Sequence, residues 1–195
     1  MTVLIAMATF ALVASITPGP VNIVGLGAGA SHGFRASQRH VFGATLGFVL
    51  LLLLVGMGLR EVLVAMPLLV NVVQWAGVLF LLYVAWKLAS DHGRLSMDGN
   101  DSPPSIMVGA AMQWLNPKAW LAAVSGVALF VADGELTLMV QFAAIYFVVC
   151  YLSLACWAYA GAFLRRFLSN ARGVRLFNRS MALLLIGCSA SLMLH

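Results

Sequence analysis

The sequence predicts an all-α membrane protein of six transmembrane helices, arranged as a 3+3 inverted repeat with broken first and fourth helices. Three observations predict it: an apolar composition, apolar runs that recur along the whole chain, and basic residues gathered in alternate connections. Of the 195 residues, 63% are hydrophobic and 9% are charged, and the mean hydropathy is +1.00. A water-soluble domain carries about 25% charged residues, because its surface faces water. This chain has too few charges to cover such a surface, and lipid is the solvent its composition fits.

The first apolar run, near 3–30, is too long for one straight span, and Thr17-Pro18-Gly19-Pro20 interrupts it. A secretory leader opens on a basic segment. No Lys or Arg precedes Arg35, so the run is expected to stay as the first span. The second run (near 40–59) and the third (near 67–88) approach the roughly 20 residues that cross a ~30 Å hydrocarbon core. Ser90–Ser105 is polar, with Asp91, Arg94, Asp98, Asp101 and Pro103-Pro104. It divides a single transmembrane domain into halves 1–89 and 105–195, with 90–104 as a cytoplasmic linker. The fourth run, near 105–131, is interrupted by Asn116-Pro117-Lys118, and the fifth lies near 136–163. In the sixth, near 177–194, the apolar stretch Met181–Leu194 is short, which places Asn178 and Arg179 near an interface where the arginine can snorkel.

Alternate connections hold the charge. Arg35 and Arg39, then Lys87 and Arg94, then Arg165, Arg166, Arg172, Arg175 and Arg179 make nine of the eleven Lys and Arg. The positive-inside rule puts those connections in the cytoplasm and both termini outside. The net charge of +5 is thus a topology signal and not a nucleic-acid-binding face. Three spans per half force the second half to enter from the opposite side, which is the plan of an inverted repeat.

Both halves open with a proline-interrupted span, and the breaks carry the candidate site. Proline removes an amide donor and clashes with the carbonyl one turn earlier, so backbone groups lose helical partners. In hydrocarbon those groups cost several kcal/mol each unless protein, water or substrate satisfies them. An amino-acid zwitterion needs acceptors for its ammonium and donors for its carboxylate, and a broken helix exposes both. The expected substrate-binding residues are Thr17, Pro18, Pro20 and Asn22 at the first break, and Gln113, Asn116, Pro117 and Lys118 at the second. Lys118 weighs most, because a charge at membrane depth usually faces a polar cavity. Trp114 is a further candidate for the same cavity. The competing readings are prolines that kink helices for packing and a lysine that snorkels.

The remaining chemistry-bearing residues exclude other classes. All six carboxylates (Glu61, Asp91, Asp98, Asp101, Asp133 and Glu135) fall in connections or at span ends, which argues against a hard-cation site. His32, His40, His92 and His195 also lie near connections or the terminus, with His40 read as interfacial. Cys150, Cys156 and Cys188 sit in apolar runs as packing residues. No cofactor or metal is expected. Gly25/Gly29 and Gly43/Gly47 have the spacing that lets helices approach closely.

Thr17-Pro18-Gly19-Pro20 with Asn22, Ser31-His32-Gly33-Phe34-Arg35, Trp75-Ala76-Gly77, Ala85-Trp86-Lys87 and Asn116-Pro117-Lys118 together resemble the lysine-exporter (LysE/RhtB) family of amino-acid exporters. The resemblance covers the whole chain in length, span count and motif order. Ser31-His32-Gly33-Phe34-Arg35 and Ala85-Trp86-Lys87, with Cys156-Trp157-Ala158 and Ala182-Leu183-Leu184-Leu185, turn the resemblance toward members that export cysteine and O-acetylserine. It implies an inner-membrane secondary transporter, not an enzyme, that exports a small amino acid or derivative. The substrate would be cysteine- or O-acetylserine-like, or homoserine- or threonine-like, and the drive the proton gradient. Its partners would be substrate, protons and the lipid bilayer, with a homo-oligomer open and no nucleic acid. Two departures stand out: Val21 replaces a residue often polar in the family, and Val127-Ala128-Leu129-Phe130 replaces a Phe-Pro pair. The fifth span also lacks the acidic residue of many relatives. Other classes fit worse. An intramembrane serine enzyme at Ser125 would need a base within hydrogen-bond reach, and a non-transporting subunit or scaffold leaves the paired breaks unexplained.

Overall fold

A computed structural model describes residues 2–59, 67–90, 104–131, 135–168 and 171–193. These residues form eight α-helices and no strand. In order they are α1 (Thr2–Ile16), α2 (Pro20–His32), α3 (Phe34–Leu54), α4 (Pro67–Ala89), α5 (Ile106–Trp114), α6 (Pro117–Phe130), α7 (Leu136–Arg165) and α8 (Ala171–Met193). A π-helical turn, Val55–Leu59, extends α3. The chain bends by 62° between α1 and α2, where Thr17-Pro18-Gly19 was expected to break the run. A second interruption separates α5 from α6 at Leu115-Asn116. Proline is the first residue of α2 and of α6, where its missing N–H belongs to the unpaired first turn in any case.

Two boundaries differ from expectation. The second span opens at Phe34 and not near 40, because Gly33 alone separates it from α2. Gly33 has φ +82°, a left-handed conformation that glycine adopts freely, and its carbonyl receives the Ser37 hydroxyl at 2.8 Å. The last helix begins at Ala171, so Asn178 lies well inside it and is buried, whereas Arg179 is exposed. Arg60, Glu61, Asp91, His92, Arg94, Asp98, Asp101, Asp133, His195 and most of 90–104 lie outside the described residues, as do the side chains of Lys87 and Cys188.

Among the described residues, α3 with its π-helical end (Phe34–Gly58) and α7 (Leu136–Arg165) are long and apolar enough to cross a membrane, and the bent pair α1–α2 makes a third span if counted as one. Large apolar side chains point outward on several helices, among them Ile5, Leu79, Leu121 and Leu136, each more than 60% exposed. A surface of that kind suits lipid and not water. The interior is an aromatic and small-residue core. Phe48 stacks on Tyr146 at 4.1 Å, and Phe10, Phe130 and Phe142 pack edge to face or tilted around them.

Glycines set how close the helices come. Where α2 meets α7, a side chain on Gly29 would collide with the Ala158 carbonyl, and one on Gly161 would collide with the Leu26 carbonyl. The α3–α5 contact is built alike: Gly43 faces Ile106, Gly47 faces Ala110, and Gly109 faces the His40 carbonyl. Backbone-to-backbone approach of this sort maximises dispersion where no hydrophobic effect drives helices together. Gly25, half of the expected Gly25/Gly29 pair, has open space around it. Gly29→Ala is therefore expected to destabilise the fold by about 1–3 kcal/mol through overpacking. Gly25→Ala should stay within about 0.5 kcal/mol. Thermal unfolding of both variants in detergent checks the contrast.

Candidate functional site

The first break leaves a run of backbone carbonyls without their helical donors, and each finds another. The Thr17 hydroxyl bonds back to Val13 O at 2.8 Å and reaches Ala14 O at 3.4 Å. Asn22 Nδ2, from the first turn of α2, donates to Ser15 O at 2.8 Å. The Trp157 indole N–H, from α7, donates to Ile16 O at 3.0 Å. Lys118 Nζ, from the first turn of α6, donates to Thr17 O at 2.6 Å, to Thr17 Oγ1 at 2.8 Å and toward Pro18 O at 3.4 Å. Gly19 O accepts from Ile23 N, already inside α2. Every carbonyl from Val13 to Gly19 thus has a donor.

The second break is satisfied locally. Asn116 caps α6: its Oδ1 accepts from Lys118 N at 3.2 Å. The Trp114 carbonyl, which Lys118 N would have served in an unbroken helix, accepts the Trp120 indole N–H at 2.7 Å. Asn116 Nδ2 donates to Gln113 Oε1 at 3.4 Å, and Asn116 N to Gln113 O at 3.2 Å.

One cation joins the two breaks. Lys118 sits at the carbonyl end of α1, where the helix dipole presents partial negative charge to its ammonium. Gly19 makes room for this arrangement, since a side chain there would lie 3.3 Å from Lys118 Cδ and 3.5 Å from Asn22 Oδ1. Beside the bridge lies a small cavity where water centres can occupy about 30 Å³, room for roughly two waters. Asn22, Gln113, Asn116 and Lys118 line it, each a residue singled out from sequence. Of the other expected site residues, Thr17 and Pro18 hold Lys118 from outside the lining, and Pro20 and Pro117 start the helices that carry Asn22 and Lys118.

Three expectations change. Carbonyls freed by the first break are not open to a ligand in this conformation, because protein donors occupy them. Trp114 does not line the cavity; it packs edge to face on Trp120 and keeps the second break closed. His40 is packed inside the bundle: it is 1% exposed, two turns into α3, and lies against the Val21 backbone with neither ring nitrogen in a formed hydrogen bond. Cys156 faces outward, whereas Cys150 is buried and lines the cavity. Sequence reasoning missed Ser15, Val21, Phe48, Tyr146 and Cys150 as cavity walls. Ser15 and Tyr146 carried a usable signal, each a hydroxyl within an apolar run.

Comparison with known proteins follows the same lines. The family model described as LysE type translocator matches residues 12–195. Proteins named cysteine/O-acetylserine efflux protein from Escherichia coli O139:H28, Escherichia coli K12 and Shigella sonnei are each 34% identical over 191 residues. Each match covers 96% of this chain and 96% of the relative. No solved structure matches the chain.

The two indoles give a direct test of the carbonyl inventory. Trp157→Phe and Trp120→Phe each keep an aromatic ring and leave one carbonyl without its donor. Trp120→Phe, whose bond is partly buried, is expected to cost about 1–3 kcal/mol, and Trp157→Phe, whose bond is exposed, about 0.5–1.5 kcal/mol, read as lowered thermal stability of the purified protein in detergent.

Proposed function

The chain belongs to the LysE type translocator family, and from that premise we propose that it exports a small amino acid or derivative, of cysteine or O-acetylserine type, from the cytoplasm. The observation that carries the reading is Lys118 bridging the two helix breaks beside a small cavity lined by the buried polar side chains of Asn22, Gln113 and Asn116. A substrate carboxylate entering that cavity competes with the Thr17 and Pro18 carbonyls for the Lys118 ammonium. The first turn of α2 has no side-chain cap, so its amides reinforce the same anion subsite. The substrate ammonium goes to side-chain oxygens instead of backbone carbonyls. Asn22 Oδ1 serves best, because its amide nitrogen is already committed to Ser15 O.

Competition for Lys118 links binding to movement. Withdrawing the ammonium from Thr17 and Pro18 unties one break from the other and lets the halves rock, as alternating access requires. The small volume of the cavity supports a contracted state that must widen to hold a whole substrate.

Our topology has six spans in an inner membrane, with both termini outside and two halves of opposite entry. In it α1–α2 and α5–α6 are single broken spans. Helices α4 and α8 have 23 residues each, about 34 Å at 1.5 Å per residue. Packing supports paired halves: α1 lies on α7 as α5 lies on α3, and α3 meets α7 as α4 meets α8. The Gly33 turn lies beside the Arg165 guanidinium, so the first and last basic connections share one end. The proton gradient is the proposed driving force.

Efflux of labelled O-acetylserine, cysteine, homoserine and lysine from cells expressing the protein tests the reading, with and without a protonophore. We expect accelerated efflux of at least one of the first three, lost on adding the protonophore. Lys118→Ala should lower that efflux about tenfold or more, the scale of a lost charge-assisted interaction, with membrane insertion intact. Wild-type protein that inserts and moves none of the substrates would return the chain to a non-transporting subunit.

A further inference from the structure

The cavity has a second polar pole that the zwitterion leaves unused. Ser15, in the last turn of α1, is 92% buried, and its hydroxyl oxygen has no formed hydrogen bond. Its backbone carbonyl is taken by Asn22, which fixes the residue without using the side chain. From α7, the Tyr146 hydroxyl and the Cys150 thiol both face Ser15 Oγ across the lining, too loosely placed to satisfy it. Tyr146 has little freedom to improve the fit: its ring is stacked on Phe48 and held edge-on by Phe142. A buried hydroxyl without a partner is costly and calls for an explanation.

The rest of the lining includes the small residues Ala14, Ala119 and Ala122 and the apolar Val21 and Leu154. Among the described residues no carboxylate lines the cavity, and the one described carboxylate, Glu135, is exposed at the start of α7. A cationic side chain would meet Lys118 with nothing to neutralise it. A long or aromatic one would have to displace the stacked pair Phe48–Tyr146. A short neutral group able to donate or accept one hydrogen bond is what the cluster lacks.

We propose that Ser15, Tyr146 and Cys150 form the side-chain subsite of the cavity, which takes a short uncharged polar group of the substrate: a hydroxyl, a thiol or an ester. The proposal rests on the exporter reading and names which residues give it specificity. With the α-ammonium and carboxylate held at Asn22 and Lys118, the substrate side chain reaches Ser15 Oγ and supplies its missing partner. A substrate without that group leaves the hydroxyl unsatisfied, and discrimination follows from the penalty.

The test uses purified full-length protein in proteoliposomes and counterflow of labelled serine, cysteine, alanine and 2-aminobutyrate. Serine against alanine, and cysteine against 2-aminobutyrate, compare near-isosteres that differ in one polar group. Each ratio is internal to one preparation, so folding yield and insertion cancel. Wild-type protein should favour the polar member, and Ser15→Ala should reduce that preference about five- to tenfold. Tyr146→Phe keeps the stacked ring and should reduce it in the same direction. A polar preference that survives both substitutions, in protein that still transports, would overturn the subsite while the exporter reading stands. A wild-type protein that moves none of the four would sink the exporter reading and the subsite with it.

Discussion

A carbonyl oxygen cannot be left bare inside a membrane, and the first helix break sets that condition for the whole structure. Two prolines around Gly19 strip α1 of its continuation. Five donors then come from four places: Thr17 itself, Asn22 on α2, Trp157 on α7, Lys118 on α6, and the backbone of Ile23. The break therefore holds α7 and α6 as firmly as they hold it. A kink made only for packing would need none of these long-range donors. Their convergence from residues more than a hundred positions away makes the break a joint between α1–α2 and the helices α6 and α7.

Around that joint the frame is stiff where small residues let backbones touch. The α2–α7 and α3–α5 seams place glycine against backbone, so neither pair can slide without losing contact along its length. Both seams border the breaks: α2 and α5 are the half-helices on one side of each interruption. The cavity lies beside two discontinuities, and each seam ties a helix from residues 1–89 to one from residues 105–195.

Much of this could be read from sequence, for physical reasons. Proline and glycine in an apolar run act locally, so both breaks stand where Pro18, Pro20 and Pro117 place them. Asn22, Gln113, Asn116 and Lys118 were visible because a polar side chain in hydrocarbon needs a purpose, and the structure brings all four to one cavity. Partner choice could not be read. That Lys118 reaches Thr17 depends on how α6 packs beside α1, and nothing near either residue encodes it. His40 stands at the start of the second apolar run, and its burial could not be read from there, because it depends on the close α3–α5 contact at Gly109. The α7 wall was missed because Tyr146 and Cys150 look like ordinary packing residues until the chain is folded.

The Gly29–Ala158 and Gly161–Leu26 contacts also bear on how such a protein diversifies. Those positions admit almost no substitution, because any added carbon meets backbone that cannot move aside. Ser15, Tyr146 and Cys150 stand at cavity walls, where exchanging one small or aromatic group for another leaves the seams untouched. Mutational freedom is thus partitioned, with little in the frame and more in the lining. A lineage built on this plan can explore new cargoes by point mutation without first re-evolving its scaffold.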